Sequence, residues 1–108
     1  MAQSGGRRMT YEQKKQCSNI FEHYGEENQL EKLKEELNEL YEAVVDFQGN
    51  QSEANRNHLA EELADVEIML RQIKAVVGDK VDEFIQYKLT RQLKRIEDES
   101  LSSMPERV

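Results

Sequence analysis

The sequence predicts an all-α protein built from four helices, and three observations predict it. Apolar residues recur at three- and four-residue spacing over long stretches, the pattern of helices with one buried side. Residues that start and stop helices punctuate those stretches: Thr10, Asn28 and Asp79 as caps, Gly25 and Gly78 as stops. The 108 residues include a single Pro, and 34% of them are charged, against about 25% in ordinary domains. Such a chain suits one domain, taken to span residues 10–98 between a disordered leader (1–9) and a flexible tail (99–108). A chain this short buries little apolar surface alone, so its helices are expected to share a core with other copies.

Thr10 with Gln13 three residues on forms a capping box, predicting a first helix over Tyr11–Tyr24 that Gly25 stops. Asn28 with Glu31 offers a second box, predicting a helix from Gln29 to Phe47. Leu30, Leu33, Leu37, Leu40, Tyr41 and Val44 form its apolar stripe. Glu36 lies beside that stripe and Glu39 further round the same flank, while Glu31, Glu35 and Glu42 point more nearly away. Gln48–Arg56 is polar and reads as a loop with room for helical turns at its end.

The third helix is expected over Asn57–Val77, stopped by Gly78, with Leu59, Leu63, Val66, Leu70, Ile73 and Val77 as its main stripe. Glu62 and Asp65 flank that stripe, and Ala64, Ile68 and Ala75 lie on the far side. A helix apolar on two sides is usually buried on two sides, so Ile68 and its neighbours are expected at a subunit contact. Asp79 is expected to cap a fourth helix over Lys80–Glu97, with Val81, Phe84 or Ile85, Lys88 or Leu89, Gln92 and Ile96 facing inward. This helix carries Lys88, Arg91, Lys94 and Arg95, the densest basic group in the chain.

A net charge of −7 and a pI near 4.9 exclude duplex nucleic acid as the expected partner, since phosphate backbones need a basic face. They leave room for a nucleotide carried with a divalent cation, which offsets its charge. The leader lacks the apolar core of a signal peptide, and no run approaches the ~20 apolar residues of a membrane span. One cysteine, Cys17, allows no internal disulfide and fits a cytoplasmic setting. His23, His58 and Cys17 are isolated and read as surface or packing residues. The aromatic Tyr11, Phe21, Tyr24 and Tyr41 read as core more readily than as base-stacking groups.

The motif that carries chemistry is acidic. Glu36-x-x-Glu39 sits on the second predicted helix and Glu62-x-x-Asp65 on the third. Residues three apart are neighbours on a helix surface, so antiparallel packing of the two helices brings four carboxylates together. Hard divalent cations prefer such oxygen ligands. Burying acids there without a cation costs several kcal/mol and drives protons onto them.

The runs QLEKLKEELNELYEAV and HLAEELADVEIML, with their ExxE and ExxD pairs, resemble the MazG-like superfamily of all-α nucleoside triphosphate pyrophosphohydrolases. Tyr24-Gly25 followed by Gln29 resembles the way those proteins enter the first acidic helix, and the resemblance covers residues 20–96. It implies a four-helix MazG-like bundle completed by oligomerisation as a dimer or tetramer. It implies hydrolysis of a (deoxy)nucleoside triphosphate between the α and β phosphates, dependent on Mg²⁺ or Mn²⁺. By the same resemblance Glu36, Glu39, Glu62 and Asp65 become metal ligands. Glu35 or Glu39 is then a candidate to take the proton of an attacking water. On the fourth helix Lys88, Arg91 and Arg95 can share a face suited to phosphate, the alternative being ordinary surface charge paired with Glu97, Asp98 or Glu99. Family members place a Lys and then an Asn four residues on in this helix, and here the match is Lys88 and Gln92, a departure that bears on the phosphate or sugar contact. The alternative is a non-enzymatic helical module for oligomerisation or partner binding, which explains the amphipathic helices but not the matched acidic pairs.

Overall fold

The computed structural model describes residues 8–102. Over that span it contains α1 (Tyr11–Tyr24), α2 (Glu26–Gly49), α3 (Glu53–Val77) and α4 (Lys80–Ser102), with no strand among the described residues. Residues 1–7 of the expected leader and 103–108 of the expected tail lie outside the described residues. No described helix is long and apolar enough to cross a membrane.

The capping box at α1 forms as expected. Gln13 N–H donates to Thr10 Oγ1 at 3.0 Å, and Thr10 N–H donates back to Gln13 Oε1 at 2.9 Å. Gly25 ends the helix at φ +90°, its N–H donating to Phe21 O at 2.8 Å. A side chain at that φ is strained, so glycine is needed there.

The same glycine corrects the expected start of α2. Gly25 O accepts from Gln29 N–H at 3.0 Å, so α2 begins at Glu26, three residues before the expected Gln29, with Gly25 at its N-cap. Asn28 is inside the helix and caps nothing. Its Nδ2 reaches back to Tyr24 O at 2.8 Å, serving a carbonyl that the end of α1 leaves unpaired. One residue of positive φ reverses the chain, and no polar linker is required.

The expected loop over Gln48–Arg56 is also shorter. α2 continues to Gly49 and α3 starts at Glu53 rather than Asn57. Ser52 Oγ accepts from Asn55 N–H at 3.1 Å, an N-cap bond that pulls the helix start forward. Asn55 Nδ2 donates to Asn50 O at 2.9 Å and Asp46 O at 3.3 Å, closing the turn. α3 ends at Val77 as expected, with Gly78 at φ +77°.

The chain divides at Val76 and Val77 into two compact units, the first holding α1, α2 and α3 and the second α4. In the first unit Cys17, Ala43, Val66 and Met69 are the buried apolar residues, joined by four buried polar ones: Gln29, Glu36, Glu62 and Gln72. This corrects the expected face of α2. Gln29, Glu36 and Ala43, seven residues apart, form its buried line, while Leu30, Leu37, Tyr41 and Val44 of the expected stripe are exposed. Leu33 and Leu40 are half-buried. The apolar arc of α2 is wide enough to turn either edge inward, and the edge carrying the small Ala43 is the one buried. On α3 the same rotation buries Glu62, Val66, Met69 and Gln72 and leaves Leu63, Ile68, Leu70 and Val77 exposed.

α4 starts at Lys80 as expected, with Glu83 N–H reaching Asp79 O at 3.4 Å. It runs to Ser102, past the expected end at Glu97 and into the stretch read as tail. A Lys94–Asp98 pair at 3.0 Å ties that last part together. Of the expected inward residues Val81 is half-buried, and Phe84, Ile85, Leu89 and Ile96 are exposed.

Candidate metal centre

The acids meet because α2 and α3 run antiparallel in one fixed register. Gln29 Nε2 donates to Gln72 Oε1 at 2.8 Å. Glu36 stands seven residues after Gln29, and Asp65 seven residues before Gln72. Two helical turns from the amide contact, about 10 Å along each axis, the acids come together. Carboxylate oxygens of Glu36, Glu62 and Asp65 all lie within 4.8 Å of one another.

Glu39 acts on this group through the Glu62 carboxyl. Burial first, then the charges of Glu39 and Asp65, hold the Glu62 carboxyl above its ordinary value, and His58 opposes them. Of the four acids expected from the sequence, Glu36, Glu62 and Asp65 come together, the first two buried and Asp65 half-buried, while Glu39 is exposed.

The donor set suits a hard cation. Glu36 Oε1 and Glu62 Oε1 are buried and take no hydrogen bond among the described residues. Buried polar atoms without partners are rare in folded proteins, and one such oxygen on each of two neighbouring carboxylates is what an oxygen-ligated ion would complete. Ligands of Mg²⁺ at about 2.1 Å lie about 3–4 Å from one another, so modest side-chain rotation closes the observed spacing.

Two basic side chains border the acids, and the sequence reading assigned neither a role at them. Lys32 Nζ is 3.2 Å from Glu36 Oε2 and 3.8 Å from Glu35 Oε1. Its hydrogen bond to Glu36, followed by the charges of Glu36 and Glu35, raises the Lys32 pKa. The Lys-to-Glu spacing of four was a signal for this contact. His58 Nδ1 lies 3.9 Å from Glu62 Oε2 and from Glu61 Oε1, beyond hydrogen-bond reach. Those three residues form a second, more exposed group that shares Glu62.

Glu35 is exposed and faces Lys32. With Glu36 and Asp65 it borders an open cleft of about 530 Å³ formed by α1, α2 and α3. On α4 the side chains of Lys88, Arg91, Gln92 and Arg95 are exposed, and the Arg91 guanidinium lies over the Tyr87 ring, 5.3 Å from its centre. Compared with protein-family models, with curated proteins and with solved structures, the chain matches none.

Proposed function

We propose that this protein is a metal-dependent nucleotide pyrophosphohydrolase, cleaving a (deoxy)nucleoside triphosphate to a nucleoside monophosphate and pyrophosphate. The observation that carries this reading is the convergence of Glu36, Glu62 and Asp65, with two buried carboxylate oxygens lacking partners. The spacing of the acidic pairs and their similarity to MazG-like proteins support it from the sequence.

In this reading Glu36, Glu39, Glu62 and Asp65 hold Mg²⁺, or Mn²⁺ in its place. Bound there, the cation supplies charge for the phosphate oxygens and lowers the pKa of an attacking water. Glu35 or Glu39, both exposed beside the buried acids, takes the proton of that water. The water oxygen bonds to the α-phosphorus, the bond from that phosphorus to the bridging oxygen breaks, and pyrophosphate leaves with the electron pair. No side chain becomes covalently attached. On the resemblance alone, Lys88, Arg91, Gln92 and Arg95 of α4, which is a unit of its own, are proposed as substrate-binding residues.

The proposal includes assembly as a homo-oligomer, a dimer or a tetramer. Leu30, Leu37 and Val44 recur every seven residues on α2, and Leu63, Leu70 and Val77 do so on α3, and all six are exposed. Extended apolar lines of this kind mark interaction surfaces. They equally favour a second reading, a helical partner-binding module without activity. Thermal unfolding with and without Mg²⁺ separates the two, since a ligand of the native state raises its stability. Release of pyrophosphate from a panel of nucleotides tests the activity itself.

A further inference from the structure

We propose that the cleft beside the acids is the nucleobase pocket, with the Gln29–Gln72 amide pair reading the base and Tyr24 forming its outer wall. This rests on the pyrophosphohydrolase reading, and it adds where the substrate's specificity is decided.

The cleft is lined at one end by Glu35, Glu36 and Asp65, and beyond them by Ile20, Tyr24, Gln29, Met69 and Gln72. Its volume of about 530 Å³ falls within the usual range for small-molecule sites. Phosphates held at the acids leave the rest of a nucleotide one way to extend within this cleft, toward the amides. The two helical turns between acids and amides span about 10 Å, comparable to the reach from the phosphates of a nucleotide to the edge of its base.

The chemistry of that end is unusual for a small helical core. Gln29 and Gln72 are only 5% and 3% exposed, at positions where a leucine would stabilise more cheaply, because a buried amide must find partners. Gln72 is pinned: its Nε2 donates to Ile68 O at 3.3 Å, while its Oε1 accepts from Gln29 at 2.8 Å. Gln29 is thereby oriented, its Nε2 committed to Gln72 Oε1. A carboxamide offers an acceptor beside a donor, the pairing that amide side chains use to read base edges. Met69 Sδ lies 4.0 Å from Gln29 Nε2 and 3.9 Å from Gln72 Nε2, and with Ile20 it gives apolar surface for the face of a base. Tyr24, half-exposed on α1, can stack from the open side.

The test compares nucleoside triphosphates with inorganic tripolyphosphate, which has phosphates and no base. Gln29→Met, Gln72→Met and Tyr24→Leu are assayed for KM and kcat on several nucleotides with Mg²⁺. Tripolyphosphate is assayed as an inhibitor of each. The expected result is a KM for nucleotide raised about tenfold or more and an altered preference among bases. The tripolyphosphate inhibition constant and the Mg²⁺-induced thermal shift should stay at wild-type values. Tyr24 is on the surface, so its variant keeps the test open if a glutamine variant fails to fold. Unchanged KM and base preference in every folded variant would overturn the pocket while leaving the pyrophosphohydrolase reading intact. A parallel weakening of nucleotide and tripolyphosphate would also overturn it, assigning these residues to the phosphates or to the fold. A wild-type protein that hydrolyses no nucleotide would overturn the activity and the pocket with it.

Discussion

Glu36 on α2 and Glu62 on α3 bring carboxylate oxygens within 4.8 Å of each other, and each keeps its Oε1 buried and without a hydrogen-bond partner among the described residues. Like charges so placed repel, and burial weakens their hydration. The arrangement costs stability in the metal-free protein, and a cation bound there would relieve it.

The first prediction follows from that conflict. Glu36→Ala, Glu39→Ala, Glu62→Ala and Asp65→Ala should each abolish most Mg²⁺-dependent thermal stabilisation and turnover, with helical circular dichroism retained. Without metal these variants should be as stable as wild type or slightly more so. Glu31→Ala and Glu42→Ala, on exposed positions of the same helix, should behave as wild type. Equal damage from all six would show that the ligands are misassigned.

The raised pKa of Glu62 gives a pH dependence. A carboxyl whose folded-state pKa lies above its ordinary 4.5 binds protons more tightly when folded. Its contribution to stability is therefore fully present below pH 4.5 and is lost as pH rises through the folded value. In metal-free protein, wild type should lose stability relative to Glu62→Gln as pH rises through that window. With Mg²⁺ present the trend should reverse, because the cation needs the ionised form. Tm measured from pH 4 to 8 with and without Mg²⁺ checks both slopes.

Lys32 sits 3.2 Å from Glu36 and supplies a positive charge where the cation would bind. The pair joins a half-exposed ammonium to a buried carboxylate. Lys32→Gln should accordingly tighten Mg²⁺ binding to the nucleotide-free protein, measured by calorimetry. Weaker Mg²⁺ binding in that variant would mean that Lys32 orients Glu36 instead of competing for it.

The exposed lines Leu30, Leu37, Val44 and Leu63, Leu70, Val77 should be covered by further copies of the chain. Light scattering at low micromolar concentration should give a dimer or tetramer, and Leu37→Glu or Leu70→Glu should shift it toward smaller species. A stable wild-type particle of 12.7 kDa would contradict the oligomeric part of the proposal.

Much of the fold was legible because its signals are local. The Thr10–Gln13 box, the stops at Gly25 and Gly78 and the start at Lys80 each depend on a few neighbouring residues. The start of α2 was misread because Asn28 has the chemistry of a cap, whereas Gly25 already turns the chain. The meeting of Glu36, Glu62 and Asp65 was readable from paired spacing on two helices. The inward face of α2 was not, since Leu33 with Leu40 and Leu30 with Leu37 are equivalent as patterns and only packing against α3 chooses between them. The contact of Gln29 on α2 with Gln72 on α3 was missed because isolated glutamines in helices are ordinarily solvated. Their matched seven-residue offsets from Glu36 and Asp65 were the signal available.

The central claim is tested most directly by incubating the wild-type protein and Glu62→Ala with nucleoside triphosphates and Mg²⁺, and identifying the products by chromatography. The account predicts nucleoside monophosphate and pyrophosphate in equal amounts from the wild type, lost on adding EDTA and lost by about a hundredfold or more in the variant. Release of orthophosphate and nucleoside diphosphate instead, or turnover unaffected by EDTA and by Glu62→Ala, would contradict it.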